Sequence, residues 1–452
     1  MRDFGARPLR RSRGLPVTSL RRPVGEGARA LPPRRVRQAV ILVDGKDPRL
    51  HELTRETPKP LMKISADRVF LDLLIDNVAR QGFDRILLLA GHFGEQIADR
   101  YEGRVIGGAT LSVAVEPEPK GAGGALRWAC DKLDSIFLVL NGDTYFDIPY
   151  RALEAVLHDS ADALAIMALR DVDDATRHGS VETRGARILR FQEKVAGGKA
   201  GRGRINAGVY LMRREAIDSL QEQQLSLETD VFPKLASDGR LFGALHHGYF
   251  IDIGLPRTVD QARRDLPSVV RRPALFLDRD GVINIDHGYV HRWDQLDLLP
   301  GLAEVIRAFN EAGWFVFVIT NQAGVARGYY DESAVNLLHD QIRDWLAARG
   351  AHVDRFYYCP LHPQGSVAAY RAESSDRKPG PGMLLRAFAE WPVDVERSFL
   401  VGDQETDMAA AAAAGIKGHL FQGSDIVAFF SEQGLWPKHS NEADRLALNE
   451  AN

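Results

Sequence analysis

The chain carries only two cysteines, Cys130 and Cys359, in 452 residues. They fall in different candidate domains, so no disulfide framework is expected and a reducing compartment, the cytoplasm, is the natural setting. No apolar run approaches the roughly 20 residues that a membrane-spanning helix requires, so no membrane partner is expected. Net charge is scarce too: 58 Lys and Arg against 61 Asp and Glu leave −3, which points away from nucleic acid as a partner. Acids are almost missing from the start, where Asp3 and Glu26 are the only ones before residue 38. That stretch, 1–37, is crowded with Arg, lacks the continuous apolar core of a secretory signal, and is expected to be a disordered basic segment.

The remaining length suits two domains of roughly 150–250 residues. Strand-like runs alternate with helical patterns in each half: AVILV (39–43), RILLLA (85–90) and IFLVLNGD (136–143), then ALFLD (274–278), FVFVIT (315–320) and SFLVGD (398–403). Continuous apolar strands between helices imply parallel pairing with both sheet faces covered. The expected fold class is therefore α/β, with two doubly wound domains at 38–266 and 274–431. Pro267, Arg271, Arg272 and Pro273 suit an exposed linker at 267–273, and 432–452 reads as a polar tail. Polar and acidic residues follow the strands' carboxyl ends, where open α/β sheets bind ligands.

In the second half, Asp278-Arg279-Asp280-Gly281 follows a strand directly. One carboxylate can attack phosphorus while its neighbour two residues on protonates the leaving oxygen and later deprotonates water. Paired acids also bind calcium or cap helices, so the pieces that follow matter. Thr320-Asn321-Gln322 ends the next strand, offering a hydroxyl and N–H groups to phosphate oxygens. Lys378, in Arg377-Lys378-Pro379, supplies positive charge against a transferring phosphoryl group. Gly402-Asp403 closes a further strand with Asp407 four residues on, and Asp278 with Asp403 would offer a hard cation the oxygens it prefers.

This order, Asp-x-Asp-Gly, Thr, Lys, Gly-Asp-x-x-x-Asp, resembles the haloacid dehalogenase superfamily of phosphatases. Within it, segments 276–295, 318–330, 357–371 and 377–385 resemble the D-glycero-D-manno-heptose 1,7-bisphosphate 7-phosphatases. The resemblance implies a parallel sheet with a minimal cap, and an aspartyl-phosphate mechanism that removes the 7-phosphate of the heptose bisphosphate. It makes Asp278 the nucleophile and Asp280 the acid/base, with Mg2+ held by Asp278, the Asp280 carbonyl and Asp403. Thr320 and Lys378 would stabilise the phosphoryl group. Asp286, His287, Gly288, Tyr289, Asn321, Gln322 and Arg377 would address the sugar or its second phosphate. The spacings leave no room for a large cap domain, so the loop from Cys359 to Lys378 is expected to wall the pocket. Where the family commonly places structural zinc ligands, this chain has Cys359, Leu361, Ser374 and Asp376, with His362 one residue out of register. A closed tetrahedral site is not available, and no zinc is expected. The alternative substrate is histidinol phosphate, whose phosphatases are similar; DHGYVH (286–291) favours heptose.

The first half resembles the sugar-phosphate nucleotidylyltransferases, a Rossmann-like mixed-sheet fold. The resemblance rests on Pro58-Lys59-Pro60, the loop from Glu118 through Gly121 to Ala125, Asn141-Gly142-Asp143, Glu193-Lys194, Asn206-Ala207-Gly208 and Asp252. It implies Mg2+ on Asp143 and Asp252, and attack of a sugar 1-phosphate on a nucleoside triphosphate, with Lys59 and Lys194 as cations. The phosphate loop departs from the family. Asp44-Gly45-Lys46-Asp47-Pro48-Arg49-Leu50 keeps Gly45, Arg49 and Leu50 but sets two aspartates where glycines would wrap a polyanion, and Pro48 removes an N–H donor. Two readings stand here: nucleotide transfer, guanylyl favoured, to heptose 1-phosphate, or a non-catalytic domain that binds sugar phosphate or acts as a scaffold.

Overall fold

The structure, a computed structural model, describes residues 30–43, 50, 54–173, 175, 179–192, 201–218, 220 and 225–438. Gly45, Arg49, Glu193 and Lys194 lie outside the described residues. From Leu31 onward the described residues belong to one compact unit, and among them no helix is long and apolar enough to cross a membrane.

The first half is built on β1 (Gln38–Val43), β2 (Arg85–Ala90), β3 (Val105–Ile106), β4 (Ala109–Val115), β5 (Ile136–Asn141), β6 (Thr144–Phe146), β7 (Ala165–Val172), β8 (Ser180–Arg184), β9 (Arg187–Gln192), β10 (Gly203–Arg213), β11 (Leu241–Leu245) and β12 (Phe250–Asp252). Ten strands form one mixed sheet in the order β3-β4-β2-β1-β5-β10-β7-β11-β9-β8, and β6 pairs with β12 separately. β4, β2, β1 and β5 run parallel, as the unbroken apolar runs of β2, β1 and β5 lead one to expect. Along β1, Ala39, Ile41 and Val43 enter one hydrophobic core while Val40 enters the other, so both faces are covered.

The second half holds β13 (Ala274–Leu277), β14 (Phe315–Asn321), β15 (Arg355–Cys359), β16 (Phe399–Gly402) and β17 (Lys417–Leu420), all parallel in the order β15-β14-β13-β16-β17. All four residues of β13 are buried: Leu275 and Leu277 face one core, Ala274 and Phe276 the other. Only a loop and the helix Leu302–Glu311 separate β13 from β14, apart from a short turn at Trp293–Gln295, which is the minimal-cap arrangement.

Two expected boundaries are corrected. Within 1–37, the end of the stretch is tied down: Val36 is buried and Arg35 pairs with Asp344 at 2.6 Å. The stretch 267–273 is not an exposed linker. The helix Pro256–Val269 runs through Pro267, and Arg272 is buried between the halves, 2.8 Å from Asp147 and against the Phe315 ring. Beside it Arg80 reaches Asp354 at 3.0 Å. These contacts lie at the amino ends of β13, β14 and β15, so the second sheet's carboxyl ends face away from the seam.

Candidate active site

Asp278 stands where β13 ends and is almost fully buried. Its Oδ1 accepts from the Arg279 N–H at 2.7 Å and lies 2.8 Å from Lys378 Nζ. Burial pushes the Asp278 carboxyl up to about 7, against the pull of Lys378 and with Asp407 adding to the rise. Lys378 is itself buried, donates to the Ile319 carbonyl at 3.1 Å, and sits 2.6 Å from Asp407. Burial pulls its pKa down, but the two carboxylates more than offset this and leave it raised.

Asp278, Asp403 and Asp407 bring one oxygen each within 4.8 Å of one another. The Asp403 Oδ1 atom is buried with no hydrogen-bond partner, and burial raises that carboxyl's pKa. Three converging hard oxygens, one left without a donor, fit a divalent cation and match no soft metal. Asp407, which the sequence marked only by its spacing, enters the cluster, whereas the Asp280 side chain is turned elsewhere. The spacing has a steric cause. A Cβ on Gly402 would lie 2.3 Å from the Asp407 Cβ, so only glycine lets the following helix, Glu405–Ala413, set Asp407 against the strand end.

The Asp280 carboxylate is held by three side chains. Arg279 Nη2 donates to its Oδ2 at 2.8 Å, Asn284 Nδ2 to its Oδ1 at 3.1 Å, and Gln322 Nε2 to its Oδ2 at 3.1 Å. Gln322 also donates to Thr320 Oγ1 at 2.9 Å and accepts from the Tyr330 hydroxyl at 2.9 Å. Fully buried, Gln322 suits positioning Asp280 and Thr320 and does not reach outward to the sugar. Asn321 is likewise engaged: its amide donates to the Lys378 carbonyl at 3.1 Å and accepts from the Lys378 N–H at 3.0 Å, fixing the lysine's backbone.

The outward-facing residues lie on two loops. Asp286 accepts from the Gly288 N–H at 2.8 Å, His287 pairs with Asp297 at 2.8 Å, and Tyr289 has a left-handed φ of 56° and packs edge-on to Tyr329. Arg327, absent from the sequence reading, lies over the Tyr289 ring, and its charge helps to lower the Arg377 pKa, after the larger effect of burial. The loop after β15 is strapped by Glu332, which accepts from the Tyr358 and Tyr370 hydroxyls at 2.6 and 2.8 Å. Of its four positions, Cys359 is buried with a raised pKa, caused first by burial, and Asp376 pairs with Arg386 at 2.9 Å.

In the first half, Lys59 Nζ lies 2.6 Å from Asp143 Oδ2. They line a cavity of about 240 Å³ together with Glu116, Gly121, Asn141 and Glu228. Gly121 has φ 80° and its Cβ would strike the Leu225 carbonyl, so glycine is required there. Asp252 pairs in register with Thr144, next to Asp143. Asn206 spends its side chain on the Tyr210 hydroxyl, at 2.8 Å, and on the Gly208 N–H, at 3.0 Å. Glu116 and Glu228 were not among the sequence candidates; the signal for Glu116 was an acid directly after β4, two residues before Glu118.

Comparison with known proteins follows this division. The nucleotidyl transferase family matches residues 38–268, and the HAD-hydrolase-like family matches 376–423. The D-glycero-β-D-manno-heptose-1,7-bisphosphate 7-phosphatase of Rhodopseudomonas palustris is 50% identical over 165 residues, 36% of this chain and 92% of that protein. The enzyme of the same name from Salmonella typhi is 46% identical over 145 residues, 32% of this chain and 77% of that protein. Among solved structures, HddC from Yersinia pseudotuberculosis complexed with GMP-PN is 31% identical, covering 51% of this chain and all (100%) of that one, with a TM-score of 0.45.

Proposed function

Because the chain belongs to the nucleotidyl transferase family through its first half and to the heptose-1,7-bisphosphate 7-phosphatases through its second, we propose that it is a two-domain enzyme of activated-heptose synthesis. The second half removes the 7-phosphate of D-glycero-D-manno-heptose 1,7-bisphosphate through an aspartyl-phosphate on Asp278. The observation that carries this reading is the buried constellation at the carboxyl ends of β13, β14 and β16. There Asp278 meets Lys378 at 2.8 Å, with Asp403 and Asp407 beside it.

In the first step an Asp278 oxygen bonds to phosphorus as the ester P–O bond breaks, and Asp280 gives its proton to the departing C7 oxygen. In the second, Asp280 takes a proton from water, the water oxygen bonds to phosphorus, and Asp278 is released with inorganic phosphate. Lys378 and Thr320 would contact the equatorial oxygens, where charge accumulates. Four carboxylates, Asp278, Asp280, Asp403 and Asp407, face two cations, Lys378 and Arg279, which leaves negative charge in excess where a polyanion must bind. Bound Mg2+ would supply the missing positive charge through Asp278, Asp403, the Asp407 environment and the Asp280 carbonyl. Replacing Asp278 with Asn should abolish both turnover and acid-trapped phosphoenzyme; retention of most activity would refute the assignment. Histidinol phosphate belongs in the same assay as the competing substrate.

The first half, on this reading, transfers a nucleotide to the heptose 1-phosphate so produced. Lys59, Asp143 and Asp252 support it, as does the cavity they border. Glu116 favours guanine: a carboxylate accepts only, and guanine presents adjacent N–H donors at N1 and its 2-amino group. A second reading, a non-catalytic domain, is favoured by Asp44, Asp47 and Pro48 in the phosphate loop. Each added carboxylate beside a triphosphate costs on the order of 1 kcal/mol or more. Pyrophosphate release from heptose 1-phosphate with each triphosphate separates the two, and a clear GTP-dependent rate would remove the non-catalytic one.

A further inference from the structure

Arg279 lies between the two aspartates and is fully buried. A guanidinium so placed needs partners for its donors, because an unpaired buried charge is costly. Its fork is spent on the neighbouring carboxylate: Nη2 donates to Asp280 Oδ2 at 2.8 Å and to Oδ1 at 3.1 Å, while Nε donates to Oδ1 at 3.2 Å. The pairing of these adjacent residues sits where the backbone has left the strand, with a bend at Arg279 and a turn after Asp280. Gly281 has φ 89°, and the Gly281 N–H donates to the Asn284 carbonyl at 2.7 Å.

The same guanidinium reaches a second structure. Nη2 also donates to the Val290 carbonyl at 2.7 Å, at the base of the loop that carries Asp286, His287, Gly288 and Tyr289. Nη1 approaches His339 Nε2 to 3.5 Å; that ring stacks on Phe356, and burial holds it neutral. Beside the single contacts from Asn284 and Gln322, this planar cation supplies the bidentate hold on the acid/base and ties it to the sugar-facing loop. A lysine ammonium is a point charge on a flexible stem and does not span both contacts with fixed direction.

We propose that Arg279 is a positioning residue: it orients the Asp280 carboxylate for both proton transfers and couples that orientation to the 286–290 loop. The inference rests on the aspartyl-phosphate reading. Without the fork, Asp278 still attacks phosphorus, but Asp280 no longer meets the leaving oxygen or the hydrolytic water.

The two steps can be separated by leaving group. The p-nitrophenolate group departs without taking a proton, so phosphorylation of Asp278 by p-nitrophenyl phosphate does not need Asp280, whereas hydrolysis of the phosphoenzyme does. Rapid-quench kinetics of the full chain with Mg2+ should show, for Arg279→Lys, a burst of about one p-nitrophenol per site with a rate constant within about threefold of wild type, followed by turnover slowed on the order of 100-fold. Heptose bisphosphate, whose alkoxide must be protonated, should lose a similar factor in kcat with no burst. Equal loss of burst rate and turnover would mark a merely structural role and overturn the proposal, as would unchanged turnover. Arg279→Gln, which keeps a neutral donor, serves where the lysine variant does not fold, with the same two outcomes. If wild type itself traps no phosphoenzyme, the underlying aspartyl-phosphate reading fails; if wild type traps it and the variants behave as wild type, the positioning inference alone fails.

Discussion

Replacing Lys378 with Met keeps the length of the side chain and removes its ammonium from the acidic cluster. Lys378 Nζ lies 2.8 Å from Asp278 and 2.6 Å from Asp407. At an effective dielectric of ~20, each contact is a gross attraction of about 6 kcal/mol, most of it offset by the desolvation of the charges. What the substitution leaves behind is uncompensated buried carboxylate, a net loss of about 3–5 kcal/mol. For a cooperative unit of ~150–250 residues this lowers the unfolding midpoint on the order of 10 °C. The sign with pH follows from Asp278. Its folded pKa, up to about 7 even with the lysine present, lies above its ordinary value. Its charged form therefore destabilises the folded state increasingly as pH rises from the usual carboxylate range through 7. Removing Lys378 strengthens that penalty, so the loss should be larger at pH 8 than at pH 5, where Asp278 carries its proton. Denaturant unfolding of both proteins in chelator at the two pH values tests this, alongside phosphate release, which should fall ~10²–10³-fold. A loss below about 1 kcal/mol at pH 8, or a larger loss at pH 5, would refute the assigned charge balance.

Other outcomes follow from the same geometry. Mg2+ should raise the unfolding midpoint more at pH 8 than at pH 5.5, because a carboxylate must shed its proton to bind metal; calorimetry showing the reverse order would exclude the Asp278 cluster as the site. Gly402→Ala should displace Asp407, since the new Cβ would lie 2.3 Å from that residue's Cβ; the measurement is loss of Mg2+ affinity by titration. Arg272→Leu should leave Asp147 with Arg80 at 3.5 Å in place of its 2.8 Å partner and cost up to about 3–5 kcal/mol, read as a lowered midpoint with little change in kcat, because the seam lies away from the phosphatase site.

The architecture was legible wherever a local pattern implied its neighbours. Runs such as ALFL and FVFVIT are apolar on both faces, which only a covered parallel sheet tolerates, and β13 and β14 are buried accordingly. Asp278, Thr320 and Asp403 stood out because each sits at a strand's carboxyl end, Lys378 only by its place in the motif order, and the structure brings Asp278, Asp403 and Lys378 together. Residues whose roles arise from tertiary approach were not readable. Arg272 looked like linker until Asp147 drew it into the seam, and Gln322 looked sugar-facing until Asp280 and Tyr330 were seen to occupy its amide. Arg279 and Asp407 belonged to recognisable motifs, yet only burial and distance gave them work. Of the first half's candidates, Lys59 and Asp143 meet as a pair, a contact between residues 84 positions apart that no spacing rule announces.

The central claim is tested most directly by following the phosphorus signals of D-glycero-D-manno-heptose 1,7-bisphosphate by NMR during turnover with the full chain and Mg2+. Loss of the 7-phosphate resonance, growth of inorganic phosphate and persistence of the 1-phosphate are the predicted result, with no change when Asp278→Asn is used. Release of the 1-phosphate first, or equal turnover by the Asp278→Asn protein, would contradict it.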